Sequence, residues 1–226
     1  MKKKIFILGM ILVMVFAFSG CTSKKDKEAA LAFKEEYESI NGKEISEGKV
    51  HRTVQVSEDN PFEKVDASEI IKKIENKETF YLYVGDSYCP WCRSVLEKAI
   101  EVAKKNDVKK IYYIEIWDDD WKEVFRDKYE IKDGTVSKVS DGTKEYQTLL
   151  KEFDSVLSDY TLTDESGKSV EVGEKRIYAP NYFYIKDGKV VKMVEGISSK
   201  QEGAFDELTE DILKDEEKAF QKLFQK

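Results

Sequence analysis

The sequence predicts an α/β domain in which helices flank a central mixed β-sheet, and three observations lead to this prediction. An aromatic and β-branched run at 79–85 is typical of a central strand, and apolar residues recur at helical spacing from Pro90 onward. A second, parallel strand is predicted within 109–120, after that crossover helix. Two further strand patterns flank the Asp-Gly turn at 187–188 and lead into an amphipathic helix over about 199–224.

The chain begins with a predicted lipoprotein signal peptide over residues 1–20. A basic stretch precedes an apolar run of fourteen residues at 5–18, which is shorter than the ~20 residues needed to span a bilayer. Cys21 follows Ser-Gly in a pattern that resembles a bacterial lipobox, although Phe18 stands where leucine is usual. Plain secretion and an uncleaved N-terminal anchor are the alternatives. We expect Cys21 to be lipidated, which would hold the protein at the extracytoplasmic face of the cell membrane.

Length and charge limit what the rest of the chain can be. The 226 residues suffice for one domain with a sizeable core plus appendages. Removing Lys2, Lys3 and Lys4 with the signal peptide, which holds no acidic residue, takes the formal charge from −7 to −10. A chain this acidic is not expected to bind nucleic acid. The charged, glycine-containing segment 21–48 is predicted to be a tether, and 49–226 to be the folded domain.

Shorter elements fill the rest of the pattern. Alternation over 50–56 predicts an edge strand on which His51 is exposed, and capping-box spacing at 66–69 predicts a helix start. The helical spacing after the second strand predicts a helix over about 119–131. An insertion within the domain is expected at about 132–175, with a helix and a hairpin that precede the strand after Pro180.

The cysteine pair in the stretch DSYCPWC, Cys89 and Cys92, is the strongest chemical signal. Zinc is disfavoured because a tetrahedral site needs four ligands, whereas the chain has a single histidine, His51, and no second pair of cysteines. A purely structural bridge across so short a loop would stabilise the fold little, since its entropic benefit grows with loop length. Outside the cytoplasm disulfides form and persist, so a redox-active pair is the preferred interpretation.

The predicted position of the pair, between a strand and a helix, suggests a division of roles. Cys89 would lie at the helix N-terminus, where free N–H groups and the helix dipole favour a thiolate. Pro90 suits the first helical position because its missing N–H costs nothing there. Cys92, one turn further, would be more enclosed. We expect Cys89 to attack and Cys92 to resolve the mixed disulfide.

Two segments together resemble the thioredoxin family. TFYLYVGDSYCPWCRSVLEKA looks like the thioredoxin strand, CxxC motif and helix, and YAPNYFYIKDGKVVKMVEGISSKQEGAFDEL is similar to the stretch from cis-proline to final helix. The resemblance covers about 50–131 and 176–215. It implies a thioredoxin fold with a helix-plus-hairpin insertion before the cis-proline strand. More narrowly, a lipoprotein with such an insertion resembles the bacteriocin transport accessory group of thioredoxin-like proteins.

The resemblance also implies roles for particular residues. Cys89 matches the nucleophile, Cys92 the resolving cysteine and Pro180 the cis-proline, while the backbone of Ala179 would pair with an extended substrate. Trp91 is expected to shape the substrate-binding rim, with ordinary packing as the alternative. Tyr83 stands where thioredoxin keeps a buried aspartate, so Glu115 becomes the candidate proton acceptor, unless it is simply a strand residue paired with a lysine.

The function expected from these features is that of a membrane-anchored, extracytoplasmic thiol–disulfide oxidoreductase without a bound cofactor or metal. Its partners would be protein thiols or disulfides outside the cytoplasm, with a membrane redox protein as a further candidate. The alternative is a thioredoxin-like binding or chaperone module that assists export or maturation of a secreted peptide. Turnover of the cysteine pair on a substrate would distinguish these two functions.

Overall fold

The computed structural model describes residues 23–117 and 122–225. The predicted signal peptide and Cys21 therefore lie outside the described residues. Within those two ranges, no helix combines the length and the apolar character needed to cross a membrane.

The centre of the structure is a mixed five-stranded sheet, as the sequence predicts. Its strands lie in the order β11-β10-β4-β5-β3. Strands β3, β4 and β5 run parallel, whereas β10 pairs antiparallel with both β4 and β11. The bounds are β3 (Phe62–Lys64), β4 (Phe80–Gly85), β5 (Ile111–Glu115), β10 (Asn181–Lys186) and β11 (Lys189–Val194).

Helices cover both faces of this sheet and define two apolar clusters. The helices that flank the sheet are α1 (Lys24–Glu38), α2 (Ala67–Glu75), α3 (Pro90–Lys105), α4 (Lys144–Glu152) and α5 (Glu210–Phe224). One cluster joins α1, α3 and α5 to the face that carries Tyr83, and the other joins α2 and α4 to the face that carries Leu82 and Val84. Because successive side chains of β4 point to opposite faces, this strand is buried on both sides.

The predicted tether differs most from the structure. Residues 24–38 form helix α1, which begins at a capping box on Ser23 and buries Ala30, Phe33 and Tyr37 in the core. Phe33 stacks on Phe62 of β3 with ring centroids 4.3 Å apart. The prediction of a tether over 21–48 is therefore wrong for α1, which belongs to the domain. The small exposed hairpin of β1 (Glu44–Ser46) and β2 (Lys49–Val50) follows it.

Three other predicted elements have different bounds in the structure. The predicted strand at 50–56 is not formed beyond Val50, although Val54 and Val56 are buried alternately as expected. His51, expected to be exposed, is buried. The helix predicted over 119–131 is wrong for its described residues, since no helix forms over 122–131 and a strand begins at Lys128. The last helix begins only at Glu210, and a loop occupies the preceding residues.

The insertion between β5 and β10 is larger than predicted. It contains the expected helix α4 and the expected hairpin around 165–168, but also a second hairpin that begins before residue 132. The two hairpins are formed by β6 (Lys128–Lys132) with β7 (Thr135–Ser140), and by β8 (Ser158–Thr163) with β9 (Ser169–Arg176). Helix α4 packs against α2 and the sheet through Tyr146 and Leu149.

Candidate active site

The cysteine pair lies where the central strand β4 passes into helix α3. Cys89 is the N-cap of α3, and Pro90 is its first residue, as the sequence predicts. The Cys89 side chain is partly exposed, whereas Cys92, one turn into the helix, is fully buried. Both are free thiols in this structure. One sulfur is therefore accessible to a macromolecular partner, and the other lies behind it.

Asp86 holds the loop between the strand and the helix. Its Oδ1 accepts hydrogen bonds from the backbone N–H groups of Tyr88, at 2.5 Å, and Cys89, at 3.2 Å. The side chain is buried, and Oδ2 has no hydrogen-bond partner among the described residues. Burial raises the pKa of Asp86 to about 6, against the effect of the two N–H donors. A carboxyl group that titrates near neutral pH thus lies beside the first cysteine.

The two thiols have different acidities because their surroundings differ. The Cys92 side chain, as a hydrogen-bond donor, lowers the pKa of Cys89 below its ordinary value, and backbone N–H groups of the helix start act in the same direction. The Asp86 charge opposes this effect. Burial, followed by the neighbouring Cys89, raises the pKa of Cys92 well above its ordinary value. Cys89 is therefore the thiol that ionises first.

The loop before β10 completes the sulfur environment. The Ala179–Pro180 peptide bond is cis, as predicted, and the Cys89 thiol donates a hydrogen bond of 3.3 Å to the Ala179 carbonyl. Asn181, which is fully buried, fixes this loop: its Oδ1 accepts from the Tyr178 N–H at 2.6 Å and its Nδ2 donates to the Pro180 carbonyl at 3.0 Å. The Ala179–Pro180 loop thus lies beside Cys89, as the resemblance of the two sequence segments implies.

Buried tyrosines occupy the layer beneath the cysteines. Tyr83 stacks between Tyr113 and Tyr182, with ring centroids 5.1 and 4.4 Å away. Its hydroxyl is hydrogen-bonded to that of Tyr37 at 2.7 Å. Gly85 makes this arrangement possible, because a Cβ at that position would lie 2.1 Å from Cζ of Tyr83. A phenol, that of Tyr83, thus occupies the buried position of β4 in this layer.

Arg93, the residue after Cys92, binds the site to the N-terminal part of the domain. Its guanidinium is buried and donates to the carbonyls of Arg52 at 2.8 Å, Tyr37 at 2.9 Å and Ser87 at 3.0 Å, and to Oδ1 of Asn41. Burial lowers its pKa. Because these partners lie on α1, on the segment after β2 and in the cysteine loop, one side chain fixes the relative positions of all three.

The remaining predicted residues are Glu115 and Trp91. Glu115 ends β5, is in register with Gly85 of β4, and forms an ion pair with Lys64 that also includes Glu36. This placement favours the simpler alternative, a strand carboxylate paired with a lysine. Trp91 lies in the first turn of α3 and is partly exposed, so its ring is available at the rim of the site.

The insertion contacts the cis-proline loop directly. The Tyr178 hydroxyl donates to the carbonyl of Asp159 at 3.0 Å and accepts from the Thr161 N–H at 3.0 Å. Arg126 donates to the Ile177 carbonyl at 3.3 Å. The β8–β9 hairpin is thereby fastened beside the residues that face Cys89, so the insertion forms part of the surroundings of the site.

Three polar residues of this region were not selected from the sequence. Asp86 and Arg93 directly flank the motif, and Glu216 of α5 is a second buried acid, fully inaccessible to solvent. For Asp86 the signal is its position just before a helix start, which is typical of a side chain that caps N–H groups. For Glu216 the signal is its spacing of four from both Ile212 and Phe220, which places it on the buried face of the helix.

No protein-family model and no curated protein matches the chain. Across 23–117 and 122–225, there is also no group of three or more histidine, cysteine, aspartate or glutamate side chains arranged to hold a metal ion.

Proposed function

We propose that this protein is a membrane-anchored, extracytoplasmic thiol–disulfide oxidoreductase with a thioredoxin fold. The observation that carries the proposal is the contrast between its two thiols. Cys89, partly exposed at a helix N-terminus, has a lowered pKa, whereas the adjacent Cys92 is buried and has a raised pKa. Two cysteines with a purely structural role do not require different pKa values and exposures. A nucleophile must be accessible and ionised, whereas a resolving thiol lies behind it.

The order of elements supports the proposed fold. The strand β4, the cysteine pair and α3 follow one another, and the cis-proline, β10, a tight turn, β11 and the final helix α5 come later in the chain. This is the order implied by the resemblance of the two sequence segments to thioredoxin. The turn residues Asp187 and Gly188 both have positive φ, which suits a two-residue hairpin turn.

The reaction follows from the geometry of the two sulfurs. The Cys89 thiolate attacks one sulfur of a substrate disulfide, which forms a mixed disulfide and releases the other substrate sulfur as a thiolate. Cys92 then loses its proton and attacks the Cys89 sulfur, so that the Cys89–Cys92 disulfide forms and the second substrate thiolate leaves. The substrate gains two electrons and the protein loses two. The reverse sequence oxidises a substrate dithiol.

Ala179 and Trp91 are proposed to bind the substrate. The Ala179 carbonyl accepts from the Cys89 thiol in the reduced protein, and this contact is lost when the sulfur enters a mixed disulfide. The backbone at Ala179 is then available to an extended substrate segment. Trp91, at the rim, would contact side chains of the same segment.

Turnover on a disulfide substrate tests the proposed function. The full-length protein, with a thiol reductant supplied in excess, should accelerate reduction of a disulfide-linked peptide, and Cys89→Ser should abolish the acceleration. Equilibration with a glutathione buffer should then give the reduction potential of the pair. A wild-type protein no faster than Cys89→Ser would refute the enzyme and favour the binding module.

The proposed anchor predicts a difference between the wild type and Cys21→Ser. Because acyl chains on Cys21 bind the bilayer strongly, the wild-type protein should enter the detergent phase of a two-phase extraction. The Cys21→Ser variant cannot carry the lipid. Its mass should therefore lack that of the acyl chains, and it should lose the detergent partitioning that these chains cause. Equal masses of the two mature proteins, apart from the substitution itself, would exclude lipidation.

A further inference from the structure

A groove lies at the carboxyl ends of strands β3 and β5. Its volume is about 700 Å³, within the range of ~300–1,000 Å³ that is typical of ligand sites. Its walls are the segment from β3 into α2 (64–69), the end of β5 (114–117), and two parts of the chain between β5 and β10, namely 124–125 and the start of α4. The insertion therefore forms one side of this groove.

The groove lies at the same edge of the sheet as the cysteine pair. Strands β3, β4 and β5 are parallel, so their carboxyl ends meet at one edge, and the cysteine loop follows β4. The N–H of Ile116, in the groove wall, donates to the carbonyl of Gly85 at 3.1 Å, and Gly85 directly precedes the cysteine loop. Because strands lie ~4.8 Å apart, the groove begins roughly 10 Å from the end of β4, a distance that about three or four extended residues span.

The groove carries an excess of negative charge. Lys64 is the one basic side chain among its described lining residues, and it is paired with Glu115 and Glu36. Four acidic side chains line the groove: Asp66 and Glu69 at the start of α2, Glu115 at the end of β5 and Glu145 in the first turn of α4.

Two of these carboxylates are not used by the helices at whose starts they lie. Asp66 is the N-cap of α2, but its side chain makes no capping hydrogen bond. In α4 the cap is Thr143, whose Oγ1 accepts from the Tyr146 N–H at 3.1 Å. Asp66 is exposed and Glu145 partly exposed, so both can pair with cations of another molecule.

Apolar side chains also line the groove. Val124 is 48% exposed, and Trp117 and Val65 are partly exposed, whereas Ile116 and Phe125 are buried. Exposed apolar surface with a charged rim is typical of a site that binds another molecule.

We propose that this groove binds the part of a substrate polypeptide next to its reactive cysteine, and that it selects segments that carry lysine or arginine together with apolar side chains. This inference rests on the proposed function and names its substrate class. Cations of the segment pair with Asp66 and Glu145, and its apolar side chains cover Val124 and Trp117. Charge complementarity acts mainly on the rate of association, so the selection precedes attack by Cys89.

Matched disulfide peptides test this preference. The full-length protein, with a thiol reductant in excess, is given three peptides that share one disulfide and differ only at positions about three to five residues from it. These positions carry lysine with leucine, serine alone, or glutamate with leucine. We expect kcat/KM for the lysine peptide to exceed that for the glutamate peptide by ~10-fold at low salt, and the difference to shrink at ~0.5 M salt.

Two sets of substitutions separate the charged and apolar parts of the groove. The double variant Asp66→Asn/Glu145→Gln should lower kcat/KM for the lysine peptide by ~5-fold and leave the serine peptide unchanged. Asparagine caps a helix as well as aspartate does, so this variant should fold. Val124→Ser should raise KM for both leucine-containing peptides by ~3-fold without changing kcat.

The matched control is Asp107→Asn/Glu217→Gln, which removes the same charge at the other end of α3. Glu217 pairs there with Lys105, the last residue of the helix, and Asp107 lies just beyond it. This control should retain the wild-type preference among the three peptides.

The outcomes distinguish the groove from the proposed reaction. Equal kcat/KM for the lysine and glutamate peptides, or an equal loss in the groove variant and the control, would overturn the inference and leave the proposed function intact. A wild-type dimer that Asp66→Asn/Glu145→Gln dissociates, measured by sedimentation, would assign the groove to a second copy of the chain and overturn it as well. If the wild type reduces none of the peptides faster than Cys89→Ser does, the proposed function itself is refuted.

Discussion

Replacing Cys92 by alanine is expected to abolish turnover and to trap substrates on Cys89. Attack by Cys89 remains possible because that thiol is accessible and has a lowered pKa, but the sulfur that releases the product is gone. Mixed disulfides should therefore accumulate in cells that produce Cys92→Ala. They should appear as reductant-sensitive, high-mass species on non-reducing gels, and mass spectrometry of these species should identify the substrates.

The matched control is Cys89→Ala, which retains only the buried thiol. Because Cys92 is fully inaccessible and its pKa is raised, this variant should trap little. Equal trapping by the two variants would contradict the division of roles between Cys89 and Cys92. Trapping by Cys89→Ala alone would reverse it.

Replacing Asp86 by asparagine is expected to stabilise the fold at neutral and alkaline pH. The folded-state pKa of about 6 lies above the ordinary 3.8, so the folded protein holds this proton more tightly than the unfolded chain. Stability therefore falls as pH rises between these values, and the whole penalty is present above about 6. Two pKa units correspond to at most about 3 kcal/mol at pH 8, which Asp86→Asn should recover in part. Below about pH 4 the gain should disappear.

Asp86→Asn should also make Cys89 more acidic, because the carboxylate that raises the pKa of this thiol is removed. Urea unfolding at pH 4 and pH 8 measures the change in stability. The pH dependence of thiolate absorbance measures the change in the pKa of Cys89. A stability gain of the same size at both pH values would show that the aspartate is not the titrating group.

The sequence predicted those parts of the fold in which local pattern and burial agree. Strand β4 is apolar and aromatic throughout because both of its faces are covered, and α3 begins at Pro90 because proline fits the first helical position. The turn at 187–188 carries Asp-Gly, whose positive φ values such a hairpin requires. The predicted meeting of Cys89 with the Ala179–Pro180 loop depended on the resemblance to thioredoxin, since 90 residues separate Cys89 from Ala179.

The structural elements that differ from the predictions are charged segments in which only a few residues are buried. Helix α1 is rich in lysine and glutamate, a composition that is typical of a linker. Its buried face consists of only a few residues, Ala30, Phe33 and Tyr37, which give a weak helical pattern. In β6, Tyr129 and Ile131 alternate with charged residues, and this short strand pattern overlaps the helical spacing of the residues before it. The spacing of Glu216 from Ile212 and Phe220 places it on the buried face of α5, but its residue type does not suggest burial, because glutamate is usually exposed.

Because α1 belongs to the domain, its length limits the distance between Cys21, the proposed lipid anchor, and the cysteine pair. Only Thr22 separates Cys21 from Ser23, the cap of this helix, and the end of the helix reaches the site through the Tyr37 carbonyl, 2.9 Å from Arg93. Fifteen helical residues at ~1.5 Å each, plus the two-residue step from Cys21 to Ser23, place the end of α1 that contacts the site within roughly 30 Å of Cys21. With Cys21 lipidated as we propose, we expect the enzyme to act on thiols that come close to the bilayer surface, such as those of nascent exported chains and of other membrane-bound proteins.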